Sequence, residues 1–465
     1  MEYDYDLICV GSGPAGQRCA IQAAKLGKRV AIIEASSTVG GVCLGTGTIP
    51  SKTFREAVRA FNTRRSYDSG LGFDPRIKPS AKELLSRVDD VIRIEGDVQI
   101  DQLQRNDVNV ILGTAIFDGP HSLTIQTKSG AKSLSTDKIL IAVGTVPADP
   151  PGIKPDGRTV IVSSDVMELT SLPRTLTVVG AGVIGVEYAS MFGNLGIEVT
   201  IVDGRARPLE FLDGEIIDEL IYQMRKKRTT FRLGEKVESV EILADGEGMI
   251  RLESGKKIVS EMILFTVGRQ GATDGLELQA VGLKADERGR IKVDSIFRTE
   301  VDNIYAAGDV IGFPSLAATS AEQGRLAACH MFGVSTGPMP DHFPIGIYSI
   351  PEISMVGQTE EQLTDRKIPY ETGVALYNEI ARGHILGDQG GLLKLIFHSE
   401  TLRLLGAHVI GDRATEIIHV GQAVLGLGAG LDYFLETVFN YPTLGECYKV
   451  AALNAANKLR RSADR

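Results

Sequence analysis

Long apolar runs, clustered basic charge and paired cysteines are all missing from this 465-residue chain. No apolar run approaches the ~20 residues that a membrane-crossing helix needs. Net charge is −9 and no long basic block occurs, which argues against a nucleic-acid surface, because neutralising phosphates takes clustered Lys and Arg. The one basic run, Arg225-Lys226-Lys227-Arg228, falls late in a helical pattern and reads as a solvated helix C-terminus. The five cysteines (Cys9, Cys19, Cys43, Cys329 and Cys447) are odd in number and scattered. They form no secreted disulfide framework and show no metal-ligand spacing, so no metal is expected. The start, Met1-Glu2-Tyr3-Asp4-Tyr5-Asp6, is acidic and runs straight into a strand, unlike a signal or transit peptide. A reducing cytoplasm is the expected compartment.

What is present is an ordinary globular composition, 43% hydrophobic and 23% charged, long enough for about three domains. The 52 glycines gather at motif positions, not in a low-complexity tract. Leu7–Val10 reads as a buried strand. Gly11-Ser12-Gly13-Pro14-Ala15-Gly16 follows, then a helix over about 15–26, and a strand over Val30–Ile33 ending at Glu34. The pattern returns at Thr175–Val179, Gly180-Ala181-Gly182-Val183-Ile184-Gly185, a helix to about Leu195, and Val199–Val202 ending at Asp203. The acid follows the first glycine at the same spacing in both copies, which argues for a duplicated βαβ nucleotide-binding unit. Pro147–Gly157, with Pro147, Pro150, Pro151 and Pro155, marks one expected boundary, and Gly268–Gly275 another. After about Pro338 the pattern becomes α+β, with strands at Ile345–Ser349, Gly391–Phe397 and Leu404–Ile410 and helices from about Arg413 and Leu444.

A dinucleotide pyrophosphate needs backbone N–H groups at a helix start with no side chain in the way. In the first turn Gly11 makes the bend, Gly13 admits the phosphates and Gly16 lets helix and strand pack; Gly180, Gly182 and Gly185 repeat those roles. Glu34 can accept from a ribose diol and would repel a 2′-phosphate, so the first site suits FAD or NAD. At the second site Asp203 is the residue expected for NAD, while Arg205 and Arg207 are the type expected for NADP. That mixture fits a site accepting both nucleotides; the alternative is that the arginines are solvated loop charges.

Four further segments carry a family resemblance. They are Gly40-Gly41-Val42-Cys43-Leu44-Gly45-Thr46-Gly47-Thr48-Ile49-Pro50-Ser51-Lys52, Ile141-Ala142-Val143-Gly144-Thr145, Thr266-Val267-Gly268-Arg269 and Asn303-Ile304-Tyr305-Ala306-Ala307-Gly308-Asp309-Val310. With the glycine turns, they resemble the pyridine-nucleotide disulfide oxidoreductases over nearly the whole length. The resemblance implies an α/β fold of two Rossmann-like nucleotide-binding domains plus a C-terminal α+β dimerisation domain. It implies an FAD domain at 1–155 with 272–337, an NAD(P) domain at 156–271 and a dimerisation domain at 338–465. One noncovalent FAD per subunit would be held by Gly11, Gly13, Gly16, Glu34, Gly40, Gly41, Cys43, Lys52, Gly144, Gly308, Asp309 and Ala317. NAD(H) and NADP(H) would be substrates held by Gly180, Gly182, Gly185, Asp203, Arg205 and Gly268. Lys52, paired with Glu187, would be catalytic, its cation stabilising the reduced flavin. The competing readings are an exposed helix acid for Glu187 and a simple turn aspartate for Asp309. A homodimer is implied, with higher assembly left open, and no nucleic-acid or membrane partner.

Two positions depart from the family pattern. Thr48 stands where a second cysteine would pair with Cys43, and in Asn440-Tyr441-Pro442-Thr443-Leu444-Gly445-Glu446 Tyr441 replaces the family's histidine base while Glu446 remains. A phenol, with an ordinary pKa near ~10, is a poor base for thiols at neutral pH. Thiol–disulfide exchange needs both a thiolate and a proton manager, so losing both together keeps hydride chemistry and drops dithiol chemistry. Gly47–Lys52, Phe439–Thr443 and Val450–Asn454 resemble the transhydrogenase branch of the family. The expected activity is therefore ping-pong hydride exchange between NADPH and NAD⁺ through FAD, with Cys43 a structural remnant. The rivals are an NAD(P)H diaphorase, quinone reductase or oxidase, a dihydrolipoamide-dehydrogenase-like reductase, and a non-enzymatic flavin-binding subunit.

Overall fold

The apolar run Leu7–Val10 forms the buried end of the strand Tyr5–Val10. In the computed structural model, which describes residues 3–68, 79–150, 152–388 and 390–463, this strand lies inside a seven-stranded sheet. The order is Asn109–Leu112, Val30–Glu34, Tyr5–Val10, Gly130–Ile141, Ser122–Thr127 and Thr114–Gly119, with Ile304–Ala306 also paired to Gly130–Ile141. That long strand does two jobs. Its first half runs antiparallel to Ser122–Thr127, and its second half runs parallel to Tyr5–Val10 and Ile304–Ala306. Burial follows: the first residues are exposed and the last three buried, as expected where a parallel sheet is covered on both faces.

The second glycine turn closes the same device. Thr175–Val179 pairs in parallel with Glu198–Asp203 and Met262–Phe265, and these with Thr229–Leu233 and Val160–Val162. A three-stranded antiparallel sheet, Val237–Ile242, Gly248–Leu252 and Lys257–Ser260, accompanies it. The expected strands and helices of both βαβ units are present within one or two residues, so the duplication is structural. Both junctions between the units are made at one place: Thr145–Pro147 pairs antiparallel with Arg269–Gly271, and Arg269 donates to the Thr145 hydroxyl at 2.7 Å and carbonyl at 2.6 Å. The expected boundary near Gly268–Gly275 thus contains a strand. Pro151 of the other boundary, and Asp464 and Arg465 of the charged end, lie outside the described residues.

The C-terminal sheet is antiparallel throughout, in the order Ile345–Ile347, Ile353–Gly357, Leu404–Ile410, Leu392–His398, Tyr370–Leu376. Helices Ala414–Gly426 and Glu446–Ala463 contribute to the buried cluster on it. Sequence reading found three of these five strands and carried the first to Ser349. The strand stops at Ile347 because the next N–H groups are used elsewhere: Tyr348 donates to Glu187 and Ile350 to Ser190. The basic run behaves as expected, with Arg225 and Lys226 in the last turn of the helix Gly214–Lys226.

Packing unites the three parts. One apolar cluster joins Phe54 and Val58 of the helix Thr48–Asp68, Val186 and Phe192 of the helix Val183–Asn194, and Ile347, Leu392 and Ile410 of the C-terminal sheet. A buried cation makes a second junction. Lys394, 1% exposed, lies 2.8 Å from Asp213 and 3.1 Å from Glu215 and also pairs with Glu360; these three carboxylates have metal-ligand spacing among the described residues, and the ammonium sits among them. Asp213 meanwhile caps the helix Gly214–Lys226 through the Glu215 N–H. No described helix is long and apolar enough to cross a membrane.

The helices Pro14–Lys25 and Ala317–Met331 meet through Gly324, where a Cβ would stand 2.0 Å from the Ala15 carbonyl oxygen. Overpacking a close contact costs about 1–3 kcal/mol, so Gly324→Ala should lower the apparent Tm of the chain. Gly337→Ala, with nothing within 4 Å of the added Cβ, should leave it in place. Equal melting of the two variants would remove the packing role from Gly324.

Candidate functional site

Three helices start without a side-chain cap, two of them at the wall of one cleft. Pro14–Lys25 starts after Gly13, Val183–Asn194 after Gly182, and Ala317–Met331 after Leu316. Side-chain caps do occur in this chain: Ser80 and Thr359 form complete capping boxes. The first N–H groups of a helix have no partner within it, so three uncapped starts leave donors free for an anionic ligand.

The glycines fit that purpose position by position. A Cβ on Gly11 would stand 2.3 Å from the Ala142 carbonyl oxygen, and one on Gly16 1.9 Å from that of Gly11. The second copy matches, with Gly180 at 2.6 Å from Thr266 O and Gly185 at 1.9 Å from Gly180 O. Gly13, by contrast, has nothing within 4 Å of its missing side chain, and Gly182 only the Arg205 guanidinium at 4.0 Å. First and third glycines serve protein packing; the middle one faces open space.

A cleft of about 570 Å³ runs from the first turn to the start of the helix Ala317–Met331. Its walls include Gly11, Gly13, Glu34, Gly41, Cys43, Thr48, Gly144, Gly308, Asp309 and Ala317. Glu34 is anchored on the turn, accepting from the Ser12 N–H at 3.0 Å, the Ser12 hydroxyl at 2.5 Å and the Ser36 N–H at 2.7 Å. Gly40 donates to the same hydroxyl at 2.8 Å, and a Cβ on Gly41 would crowd Gly13 at 3.1 Å, so the segment 40–41 lies on the first glycine turn. Asp309 is no simple turn residue. Burial pushes its carboxyl up, against the opposing charge of Arg269 and hydrogen bonds from Ser320 and Thr145, and Gly308 N–H is held by Gln323 at 2.9 Å. The uncapped helix starts, the open middle glycine and the acceptor Glu34 fit an adenine dinucleotide.

Lys52 and Glu187 meet at 2.7 Å, with side-chain exposures of 25% and 5%. The exposed-acid reading of Glu187 is therefore excluded. The other Glu187 oxygen accepts from the Tyr348 N–H at 2.8 Å, and the Lys52 ammonium stands 5.0 Å over the Tyr348 ring. One turn along from Lys52, Arg55 donates to Ser349 O at 3.1 Å and pairs with buried Glu352 at 2.8 Å. Glu352 accepts in turn from Thr415. Sequence reasoning missed Tyr348, Arg55, Glu352 and Ser190. A usable signal was their spacing, since Arg55 follows Lys52, and Ser190 follows Glu187, by one helical step on the same face.

Cys43 and Thr48 both line the cleft, and Thr48 lies near enough to the Cys43 thiol to ease it downward against burial. All five cysteines are free thiols, four buried and Cys43 half-buried. Tyr441 is 74% exposed, and Glu446 accepts from the Thr443 N–H at 3.3 Å; neither lines the cleft.

At the second turn the Ala181 N–H donates to Asp203 at 2.5 Å, the counterpart of Ser12 and Glu34. Arg205 adds its own N–H and a two-pronged guanidinium. Burial works against the Asp203 charge, yet the guanidinium and the two backbone donors hold the carboxyl below its ordinary range. Arg207 does not join them; it pairs with Asp218 and the Gly214 carbonyl. Gly268, at φ +118°, follows Thr266, whose hydroxyl bonds the Val179 and Gly180 carbonyls at 3.0 Å.

The sequence profile of a family described as pyridine nucleotide-disulphide oxidoreductase matches residues 5–324, and that of its dimerisation domain matches residues 343–452. A protein of Mycobacterium bovis (strain BCG / Pasteur 1173P2) named soluble pyridine nucleotide transhydrogenase is 50% identical over 462 residues, 98% of each chain. Another of that name, from Marinomonas sp. (strain MWYL1), is 44% identical over 98% of this chain and 99% of its own. Among solved structures, LpdA from Mycobacterium tuberculosis superposes with a TM-score of 0.89 at 26% identity, covering 96% of this chain and 99% of its own. The HOCl-induced flavoprotein disulfide reductase RclA from Escherichia coli gives 0.87 at 28% identity over 97% and 99%.

Burial raises the Cys43 thiol, and the Asp309 charge adds to it, against Thr48 and Lys52. A raised thiol holds less thiolate at pH 7, and the thiolate is the nucleophile. Iodoacetamide should therefore label Cys43 more slowly in the folded chain at pH 7 than in the denatured chain, with the rate climbing through and beyond pH 9. Equal labelling rates in peptide-mapped mass spectra would contradict this.

Proposed function

The chain belongs to the pyridine nucleotide-disulphide oxidoreductase family, and on that premise we propose that it exchanges hydride between NADPH and NAD⁺, in either direction, by a ping-pong cycle through one noncovalent FAD per subunit. The family implies FAD and nicotinamide nucleotides, and the chain is an oxidoreductase. The observation that supports the finer reading is that Thr48 stands with Cys43 on the cleft wall, a hydroxyl at the position where the family pattern has a second thiol. The names of relatives at 50% and 44% identity support it.

When bound, FAD would supply the two-electron acceptor and donor chemistry that connects a reduced nicotinamide nucleotide to an oxidised one. The chain's own part is positioning and charge. Gly13 and Gly182 leave room for two pyrophosphates at two uncapped helices. Lys52 keeps a positive charge near Cys43, which lines the cleft, and a cation there favours an electron-rich ligand. Glu187 and the Tyr348 ring hold that ammonium in place, so it need not reorganise during transfer. Hydride exchange needs no protein nucleophile and no base, which suits an exposed Tyr441 in place of a histidine. Residues 1–155 with 272–337 would hold FAD, and 156–271 the nicotinamide nucleotide. Residues 338–465 would make a homodimer, with Leu427, Val438 and Tyr441 as exposed apolar surface for it.

Anaerobic stopped-flow tests the cycle. NADPH should bleach the flavin, and NAD⁺ mixed in afterwards should restore its colour within the turnover time. Rapid reoxidation by quinone or oxygen with no response to NAD⁺ would replace the proposal with a diaphorase or oxidase. Thr48→Cys alone should give no appreciable lipoamide or glutathione disulfide reduction, because the base position remains Tyr441; steady turnover of either disulfide by that variant would show that a base exists elsewhere.

A further inference from the structure

The two glycine turns hold their acids by the same hydrogen bond, yet the carboxylates differ in what they have left to offer. Glu34 accepts from three donors, Ser12 N, Ser12 Oγ and Ser36 N. An ionised carboxylate has about four lone-pair sites, so Glu34 keeps one for a ribose hydroxyl. Asp203 accepts from four. Its Oδ2 takes the Ala181 N–H at 2.5 Å and Arg205 Nη2 at 2.6 Å, and its Oδ1 takes the Arg205 N–H at 2.8 Å and Nε at 2.9 Å. Nothing on Asp203 remains for a ligand. The Arg205 guanidinium is half-exposed and lies at the mouth of the turn, 4.0 Å from the position of a Cβ on Gly182.

Building on the hydride-exchange reading, we propose that Asp203 and Arg205 form a self-satisfied latch that NAD(H) and NADP(H) each open from a different side. The ribose diol of NAD(H) takes carboxylate lone pairs, and the guanidinium turns out to solvent. The 2′-phosphate of NADP(H) takes the guanidinium, and the carboxylate stays on the N–H groups of Ala181 and Arg205. Both nucleotides must break the same two side-chain hydrogen bonds, so neither gains an advantage at that step. The pair also cancels the charge by which a bare carboxylate would exclude a phosphate. When the nucleotide leaves, the latch closes and restores the two guanidinium hydrogen bonds to Asp203, which favours emptying a site that must change occupant in every cycle. Glu34, with an acceptor standing free, suits a ligand that stays.

The test is the dissociation constant of each reduced nucleotide, taken from the saturation of anaerobic flavin reduction in the FAD-loaded protein. Arg205→Met should weaken NADPH on the order of 10- to 100-fold, the loss of a charge-assisted pair. It should tighten NADH about 2- to 5-fold, because a half-exposed pair no longer has to be broken. Asp203→Asn should reverse both signs. An Arg205→Met protein whose NADH constant is unchanged would overturn the latch and leave Arg205 a simple phosphate ligand. Should Arg205→Met weaken both nucleotides by loosening the turn, Arg205→Lys decides: it keeps the charge without the two-pronged geometry, and NADH must still tighten or the latch fails. Flavin reduced normally by both nucleotides but passing no hydride onward would overturn the hydride-exchange reading and leave the latch standing.

Discussion

A single carboxylate ties the three parts of this molecule together at the point where the chemistry is expected. Glu187 is almost fully buried, and each of its oxygens is held by a different part of the chain: the Lys52 ammonium on one, the Tyr348 N–H on the other. Removing one partner of a buried ion pair typically costs about 3–5 kcal/mol, because the survivor is left uncompensated. The apolar cluster around it has the same three-part membership. Packing brings the helices Thr48–Asp68 and Val183–Asn194 and the C-terminal sheet into contact, and the polar contacts of Glu187 bridge all three. The early end of the strand Ile345–Ile347 follows from this, since its next N–H groups are needed by Glu187 and Ser190 instead of by the sheet.

Economy of backbone donors explains the clefts. Some helices are capped by their own side chains, as at Ser80 and Thr359. The helices that follow Gly13, Gly182 and Leu316 have no side-chain cap and leave their first N–H groups free. A carboxylate at the end of the neighbouring strand is pulled onto each glycine turn by one N–H, Ser12 for Glu34 and Ala181 for Asp203. That bond fixes the turn before any ligand arrives, so less order has to be created on binding.

Much of this was legible from residue order. The glycine turns, their acids and both βαβ units come from local rules: short continuous apolar strands, a helix punctuated by glycine, and a turn that only glycine can make. The pairing of Lys52 with Glu187 was legible only through family resemblance, because 135 residues separate them. Arg205 and Arg207 look equivalent in sequence, yet one lies on Asp203 and the other on Asp218, a choice made by where the helix Gly214–Lys226 begins. The strands Ile353–Gly357 and Tyr370–Leu376 escaped notice because a short antiparallel strand gains its definition from its neighbours.

What the sequence determined by itself is the chemistry available: two glycine turns, an acid for each, one thiol where disulfide chemistry would need a pair, and a phenol where it would need an imidazole. Those are properties of residue type and short spacing, and no folding can supply a missing sulfur. The tertiary structure decided how that chemistry is held. It buried Glu187, set Tyr348 beneath Lys52, left one lone pair free on Glu34 and none on Asp203. Each of these depends on contacts between segments far apart in the chain, and hydrogen-bond satisfaction is settled only when every competing donor has been brought into place.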